Sequence, residues 1–196
     1  MDAMAGNVAF LHADDNNPKT RPLKIVTASV DKIKLIDSVK EALKMQDLKM
    51  VGTVSWVGRS SLEIEVDLLM KCKKSNQYEK LIESTFNMVA INDLTNKSAQ
   101  INPLIPETHE EKEAFLRGEK NKTRRSNERN QSLLTQPPTE EERKILHELF
   151  MKPIDNSLIL SAIPMKNTSF QTLQLCQPTM KNLHNTIFGG YIMRKA

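Results

Sequence analysis

The sequence predicts an α+β fold in which an antiparallel sheet packs on a helix. Three observations predict it. Residues 62–68 alternate strictly, with Leu62, Ile64, Val66 and Leu68 on one side and Glu63, Glu65 and Asp67 on the other; a period of two is that of a half-buried strand. Gly58-Arg59 falls between two β-rich stretches, 48–57 and 61–71, where a hairpin turn belongs. Residues 1–13 are rich in Ala and Met and space Met1, Met4, Ala5, Val8 and Leu11 as one face of a helix does.

Each element can be justified in order. The first helix ends at Asp14-Asp15-Asn16-Asn17-Pro18, a run of turn formers closed by a residue with no amide hydrogen. Val26, Ala28 and Val30 alternate with Thr27, Ser29 and Asp31, predicting a strand with these two sets on opposite faces. In the next strand Met50, Val54 and Trp56 share one side around Gly52, Thr53 and Ser55. The strand at 61–71 is expected to turn its acidic side to water, and a further strand runs about 78–91, with Phe86, Met88 and Ala90 together. The local picture is an antiparallel meander on a helix.

Beyond residue 92 the character changes, as Asn102-Pro103 and Ile105-Pro106 break the pattern. Thr108-His109-Glu110-Glu111 and Thr139-Glu140-Glu141-Glu142 are capping boxes, in which the threonine oxygen meets the N3 amide and the glutamate reaches back. The polar run 120–131 is expected to separate the two helices. Ile145, Leu146, Leu149 and Phe150 form an apolar stripe on the second, which Pro153 stops. Residues 92–165 therefore read as a helical, charged connector between a domain at 1–91 and another at 166–196. In the latter, Phe170, Leu173 and Leu175 predict a strand over 167–180 ended by Pro178, and 182–196 lead through a turn into a helix.

Composition removes several function classes. With 196 residues, 39% hydrophobic and 27% charged, the chain is no disordered tail, and at roughly 150 residues per domain it allows one domain and a fraction. A net charge of +4 is too mild for a general nucleic-acid binder but suits a ligand carrying a few phosphates. The basic stretch from Lys120 to Arg129 has no aromatic interleaving and is flanked by Glu119 and Glu128, so it reads as a solvated connector. No apolar run approaches the ~18 residues of a membrane-spanning helix. Cys72 and Cys176 lack C-x-x-C spacing and the four histidines lack metal spacing; no metal is expected, and the thiols fit a reducing compartment.

The most informative stretch is Asn182-Leu183-His184-Asn185-Thr186-Ile187-Phe188-Gly189-Gly190, followed by apolar Tyr191, Ile192 and Met193. Asn185 tolerates a left-handed turn, and paired glycines let backbone approach a ligand closely. Unpaired amides at a helix start, with no side chain in the way, suit an anion or a developing oxyanion. A tight strand-to-helix turn with close packing accounts for the same residues, and the residues alone leave both open.

This segment resembles the motif of hot-dog acyl-CoA thioesterases, which Asn182, Asn185, Phe188, Gly189 and Gly190 match in order. Met1-Asp2-Ala3-Met4-Ala5-Gly6 is similar to the acid-bearing half of the family's central helix. Val26-Thr27-Ala28-Ser29-Val30-Asp31, Gly52-Thr53-Val54-Ser55-Trp56-Val57-Gly58-Arg59-Ser60-Ser61 and Phe86-Asn87-Met88-Val89-Ala90 follow in the family's order. Over essentially its whole length the chain resembles the mitochondrial double hot-dog acyl-coenzyme A thioesterases.

The resemblance implies a hot-dog fold, an antiparallel sheet wrapped on a central helix, present as two partial repeats joined by the helical connector. On this view the chain is cut inside the central helix of each repeat. It implies hydrolysis of acyl-CoA to free fatty acid and CoA. Asp2 would be general base or nucleophile, Asn182 its complement from the other repeat, and the amides near Gly189 and Gly190 would polarise the thioester oxygen. Arg59, Ser60 and Ser61, at a hairpin tip, would border the CoA groove, where Arg59 would meet a phosphate, or simply form an exposed turn. No cofactor is implied, since CoA is part of the substrate. Homo-oligomerisation through hot-dog domains and a mitochondrial location are implied too. The alternative is a truncated, non-catalytic fragment that only associates with other hot-dog subunits.

Overall fold

The computed structural model describes residues 1–35, 47–72, 76–152, 163, 165–181, 187 and 189–195. The first helix, α1, runs Asp2–Ala13. Four strands follow: β1 (Lys24–Leu35), β2 (Leu48–Val57), β3 (Ser61–Lys71) and β4 (Tyr78–Ile91). They form one antiparallel sheet in the order β1-β4-β3-β2. The remaining helices are α2 (His109–Asn130), α3 (Glu140–Met151) and α4 (Gly189–Lys195). By contacts the chain divides into one compact unit of Met1–Asn121 with Gln177–Ala196 and another of Lys122–Cys176.

In the first unit α1 lies across one face of the sheet. Its small residues make this possible: Ala5 and Ala9 are fully buried against Leu62, Ile64, Val66, Phe86, Met88 and Ala90. Gly52 opens the same approach from the strand side, since a Cβ there would stand 2.9 Å from Val8 Cγ2. Leu62, Ile64 and Val66 of the 62–68 alternation are thus core, while Leu68 is only half-buried and outside it; each fully buried side chain contributes about 1.5–3 kcal/mol.

The acidic half, expected in water, faces it only in part: Glu65 and Asp67 are half-buried and Glu63 is buried. Glu63 is 1% exposed, because the first half of α2 covers the outer face of the sheet. Asn121 Nδ2 donates to Glu63 Oε1 (2.9 Å), Arg117 pairs with Glu65 (3.0 Å), and Trp56 Nε1 donates to Glu119 Oε1 (2.7 Å). At the edge of this layer Lys80 pairs with Asp67 at 2.7 Å, and that hydrogen bond raises the Lys80 pKa above the ordinary lysine value. Gly118 is what lets helix meet sheet: a Cβ on it would overlap Trp56 Cβ.

Two strands depart from strict alternation. In β2 the register slips between Val54 and Trp56, and an extra residue in a strand turns everything after it to the other face. Val54 packs on the α1 side, whereas Trp56 is fully buried under α2. In β1 the register slips between Thr27 and Ser29 and again between Val30 and Lys32. Thr27 and Val30, expected on opposite faces, consequently both face α1, Thr27 by bonding Asp2 and Val30 by packing on the core.

Both capping boxes form. Glu111 N donates to Thr108 Oγ1 (3.2 Å) and Thr108 N to Glu111 Oε2 (2.9 Å); Glu142 N donates to Thr139 Oγ1 (3.3 Å) and Thr139 N to Glu142 Oε2 (2.8 Å). The polar run at 120–131 does not separate helices: α2 continues through it to Asn130. It holds no Gly or Pro after Gly118, its residues are mostly good helix formers, and Arg124 pairs with Glu128 one turn on at 2.9 Å. In the second unit the stripe of α3 stays largely exposed. Pro153, expected to stop α3, lies outside the described residues, and the helix ends at Met151.

The strand expected over 167–180 is absent from the described residues. Met165–Thr168 and Pro178–Met180 are short 3₁₀ turns, and Phe170, Leu173 and Leu175 are 80% exposed or more. Strand preference is realised only by pairing and burial, and the pairing here is one isolated bridge, Lys181 with Ile187.

Candidate active site

Asp2 is the first residue of α1, where a negative charge suits the positive end of the helix dipole. The core draws α1 down onto the sheet and takes Asp2 with it, leaving the residue only 8% exposed. Thr27, on β1 beneath it, donates from Oγ1 to Asp2 Oδ1 at 2.8 Å. This bond fixes the carboxylate and occupies one oxygen. The second oxygen, Oδ2, meets no donor among the described residues and faces the start of α4: a Cβ on Gly189 would lie 3.6 Å from it and 3.9 Å from Thr27 Cβ. Gly189 thus brings main chain to a buried carboxylate with no side chain between them, and Gly190 follows as the next residue of α4.

Asn182, Asn185 and Phe188 lie outside the described residues. Arg59, Ser60 and Ser61 form the β2–β3 turn, and main-chain bonds hold it: Gly58 N to Ser61 O and Ala90 N to Ser60 O, both 2.8 Å, and Ile101 N to Arg59 O at 3.1 Å. Thr27 pairs with Met88 and Met88 with Leu62, so the turn begins about 10 Å across the sheet from Thr27, two inter-strand spacings. Asp2 and Gly189 come together; the hairpin tip stays on the neighbouring strands.

Thr27 belongs to the site and the sequence reading missed it, because strict alternation assigned it to the face away from Val30. The slip shows only in the structure. Ile25 and Val30 both pack on the core, yet they are an odd number of residues apart, which only a bulge between them permits. No cluster of three or more His, Cys, Asp or Glu able to hold a metal occurs among the described residues, nor any helix long and apolar enough to cross a membrane.

A carboxylate with one oxygen tethered by a hydroxyl and the other turned to a helix opened by glycine has the chemistry to take a proton from water. No family model matches the chain. Acyl-coenzyme A thioesterase 9, mitochondrial, of Mus musculus is 40% identical over the whole chain, and acyl-coenzyme A thioesterase 10, mitochondrial, of the same organism is 38% identical. The chain is a homologue of these thioesterases. It spans about half the length of the curated relatives it matches, 46% in both of these cases. Acyl-coenzyme A thioesterase 2, chloroplastic, of Humulus lupulus is 34% identical to this thioesterase homologue, also over all of it and over 46% of the relative.

Solved structures agree on the fold. The acyl-CoA hydrolase of Staphylococcus aureus, determined with butyryl coenzyme A, matches with a TM-score of 0.53 over 78% of this chain and 77% of its own, at 22% identity. A hexameric acyl-CoA thioesterase matches at 0.52 over 67% and 76%, at 24% identity. The sheet wrapped on α1 is the hot-dog arrangement of acyl-CoA thioesterases.

Proposed function

We propose that this chain derives from an enzyme that hydrolyses acyl-CoA thioesters to free fatty acid and CoA, with Asp2 as the acid of the site. The observation that carries the reading is the buried Asp2 carboxylate, held by Thr27 at 2.8 Å and set against Gly189. Asp2 Oδ2 takes a proton from water as the water oxygen attacks the acyl carbon. The C–S bond then breaks, and the proton passes to the departing CoA sulfur. Thr27 holds Oδ1 so that Oδ2 keeps its direction. Main-chain amides at Gly189 and Gly190 polarise the thioester oxygen, and Asn182 orients the water or the carbonyl. Arg59, Ser60 and Ser61 contact a CoA phosphate.

In the same proposal residues 1–91 are the later part of one hot-dog repeat, 92–165 a connector and 166–196 the beginning of the next. Oligomers form through hot-dog domains, supported by the hexameric assembly named for a structural relative. The compartment is mitochondrial, in line with the names of the mouse relatives, and the plastid name of the hop relative makes it the first point to check by localising the protein.

A direct assay follows thiol release from acyl-CoAs of several chain lengths. Hydrolysis by the parent chain with loss in Asp2→Ala and Asn182→Ala supports the assignment; unchanged rates in both variants refute it. A second, non-catalytic reading draws on apolar side chains left open on the strands, Ile33, Leu35, Leu48 and Met50 all being about half exposed, which suits association with other hot-dog subunits. A cooperative thermal transition of the isolated monomer, together with turnover, would count decisively against it.

A further inference from the structure

The helix that carries Asp2 is tied to the rest of the fold by hydrogen bonds at its two ends. At its first residue Thr27 Oγ1 donates to the Asp2 carboxylate (2.8 Å). At the other end Asn102 clasps the last turn of α1. Its side-chain amide donates to the main-chain oxygens of His12 (3.0 Å) and Asp14 (3.1 Å), and its own main-chain oxygen lies 2.9 Å from His12 Nε2. A carbonyl only accepts, so Nε2 carries the hydrogen of that bond. Asn102 thereby satisfies carbonyls that a helix end leaves without partners.

The clasp is itself anchored. Ile101, beside it, is buried in the core and donates from its N–H to Arg59 O (3.1 Å), while Ala99 N donates to Ala90 O (2.9 Å). The middle of α1 resists sliding less. It meets the sheet through Ala5 and Ala9, both fully buried and both short, and apolar burial holds surfaces together without direction. Val8 seats against Gly52, but on β2, the edge of the sheet opposite to Thr27. Hydrogen bonds are sensitive to distance and angle, so the two ends decide where the helix stops. Asp2 and His12 stand about 15 Å apart along the helix axis, and the hydrogen-bonded helix between them carries a shift from one end to the other. We propose that Asn102 is a positioning residue, holding α1 at the axial position from which Asp2 meets Thr27 and presents its second oxygen to the substrate. This rests on the thioesterase reading and adds to it a residue that acts on the reaction through a helix.

The test uses the whole chain with three substitutions. Asn102→Ala removes both amide donors, His12→Phe removes the ring bond, and His12→Gln supplies an amide that can donate to the same oxygen. The first readout is independent of turnover: the carbon NMR signal of the Asp2 carboxyl and the methyl signal of Thr27, with the amides of β3 as reference. Both signals should move in Asn102→Ala and His12→Phe and stay near the parent's in His12→Gln, while β3 is unaffected. The second readout is thiol release from an acyl-CoA. In the first two variants kcat should fall about tenfold or more with KM kept, since misplacing a reacting group by about 1 Å is enough for such a loss, and His12→Gln should restore it.

Two controls separate positioning from stability. Gly118→Ala, which disturbs the opposite layer of the sheet, should lower the melting temperature yet keep kcat. Added to Asp2→Asn, Asn102→Ala should lower the residual rate no further, because the group it positions is already gone. Unmoved Asp2 and Thr27 signals, an unchanged kcat in an active parent, or a full further loss on top of Asp2→Asn each overturns the inference. A parent that cleaves no acyl-CoA while its Asp2 signal still follows Asn102 refutes the thioesterase reading, and with it the catalytic role of the clasp. Silent signals in an active parent refute the coupling alone.

Discussion

Asp2 and Thr27 lie twenty-five positions apart in sequence and 2.8 Å apart in space, and the proposed chemistry rests on that contact. Asp2→Asn keeps the shape and removes the proposed base; acyl-CoA turnover should fall about 10²–10⁴-fold while the melting temperature holds. Thr27→Val keeps the volume and releases Oδ1. The expected result is a lower kcat with KM nearly unchanged, measured by thiol release, because the carboxylate loses its direction rather than its charge. Gly189→Ala tests the space over Oδ2: at 3.6 Å from it a methyl fits without clash, so the variant should fold normally yet lose turnover as the methyl occupies the approach. A variant as active as the parent would show that the substrate does not pass there. Asp2 was reached through resemblance, since an acid in a helix's first turn is by itself uninformative. Thr27 was not reached, because a one-residue slip in β1 reverses which side chains meet the helix.

Among the elements, α2 differs most from its sequence reading. Its apolar content is low, and nothing in 120–131 shows that residues just before it seal a sheet. The contact is made by a glycine, an aromatic ring and polar side chains: Gly118 on Trp56, Glu119 on the indole N–H, Asn121 on Glu63. Gly118→Ala should therefore lower stability by about 1–3 kcal/mol or more, through overpacking against Trp56, measurable as a drop in the denaturation midpoint. At the start of the same helix the Thr108 and Glu107 amides donate to Glu111 and hold its carboxyl below the ordinary glutamate value. A depressed folded-state pKa contributes stability above the unfolded-state value, and that contribution is lost as pH falls through the folded one. Glu111→Gln should accordingly melt earlier than the parent at pH 7, and the gap should close in acid below the carboxylate range. The capping boxes were legible because a cap is a local affair of four residues. The bulges in β1 and β2 were not, because a bulge is set by the neighbouring strand.

For the whole molecule, burial concentrates on the middle of the sheet. Hydrogen exchange should find the amides of β3 and β4 slowest, since each is paired on both sides, and those of α3 fast, its apolar stripe being largely exposed. Uniform protection across α3 and β3 would contradict this ordering. The sequence by itself determined the α+β class, α1, the four strands, the β2–β3 turn, both capping boxes and the thioesterase kinship, because helix periodicity, turn chemistry and motif order are carried by neighbouring residues. Only the tertiary structure decided that α2 covers the acidic face, that Trp56 turns to the outer layer, that 167–180 stays out of a sheet and that Thr27 holds Asp2. Each depends on which surfaces meet, and a face, a register or a partner is fixed only when two distant parts of the chain compete for the same contact.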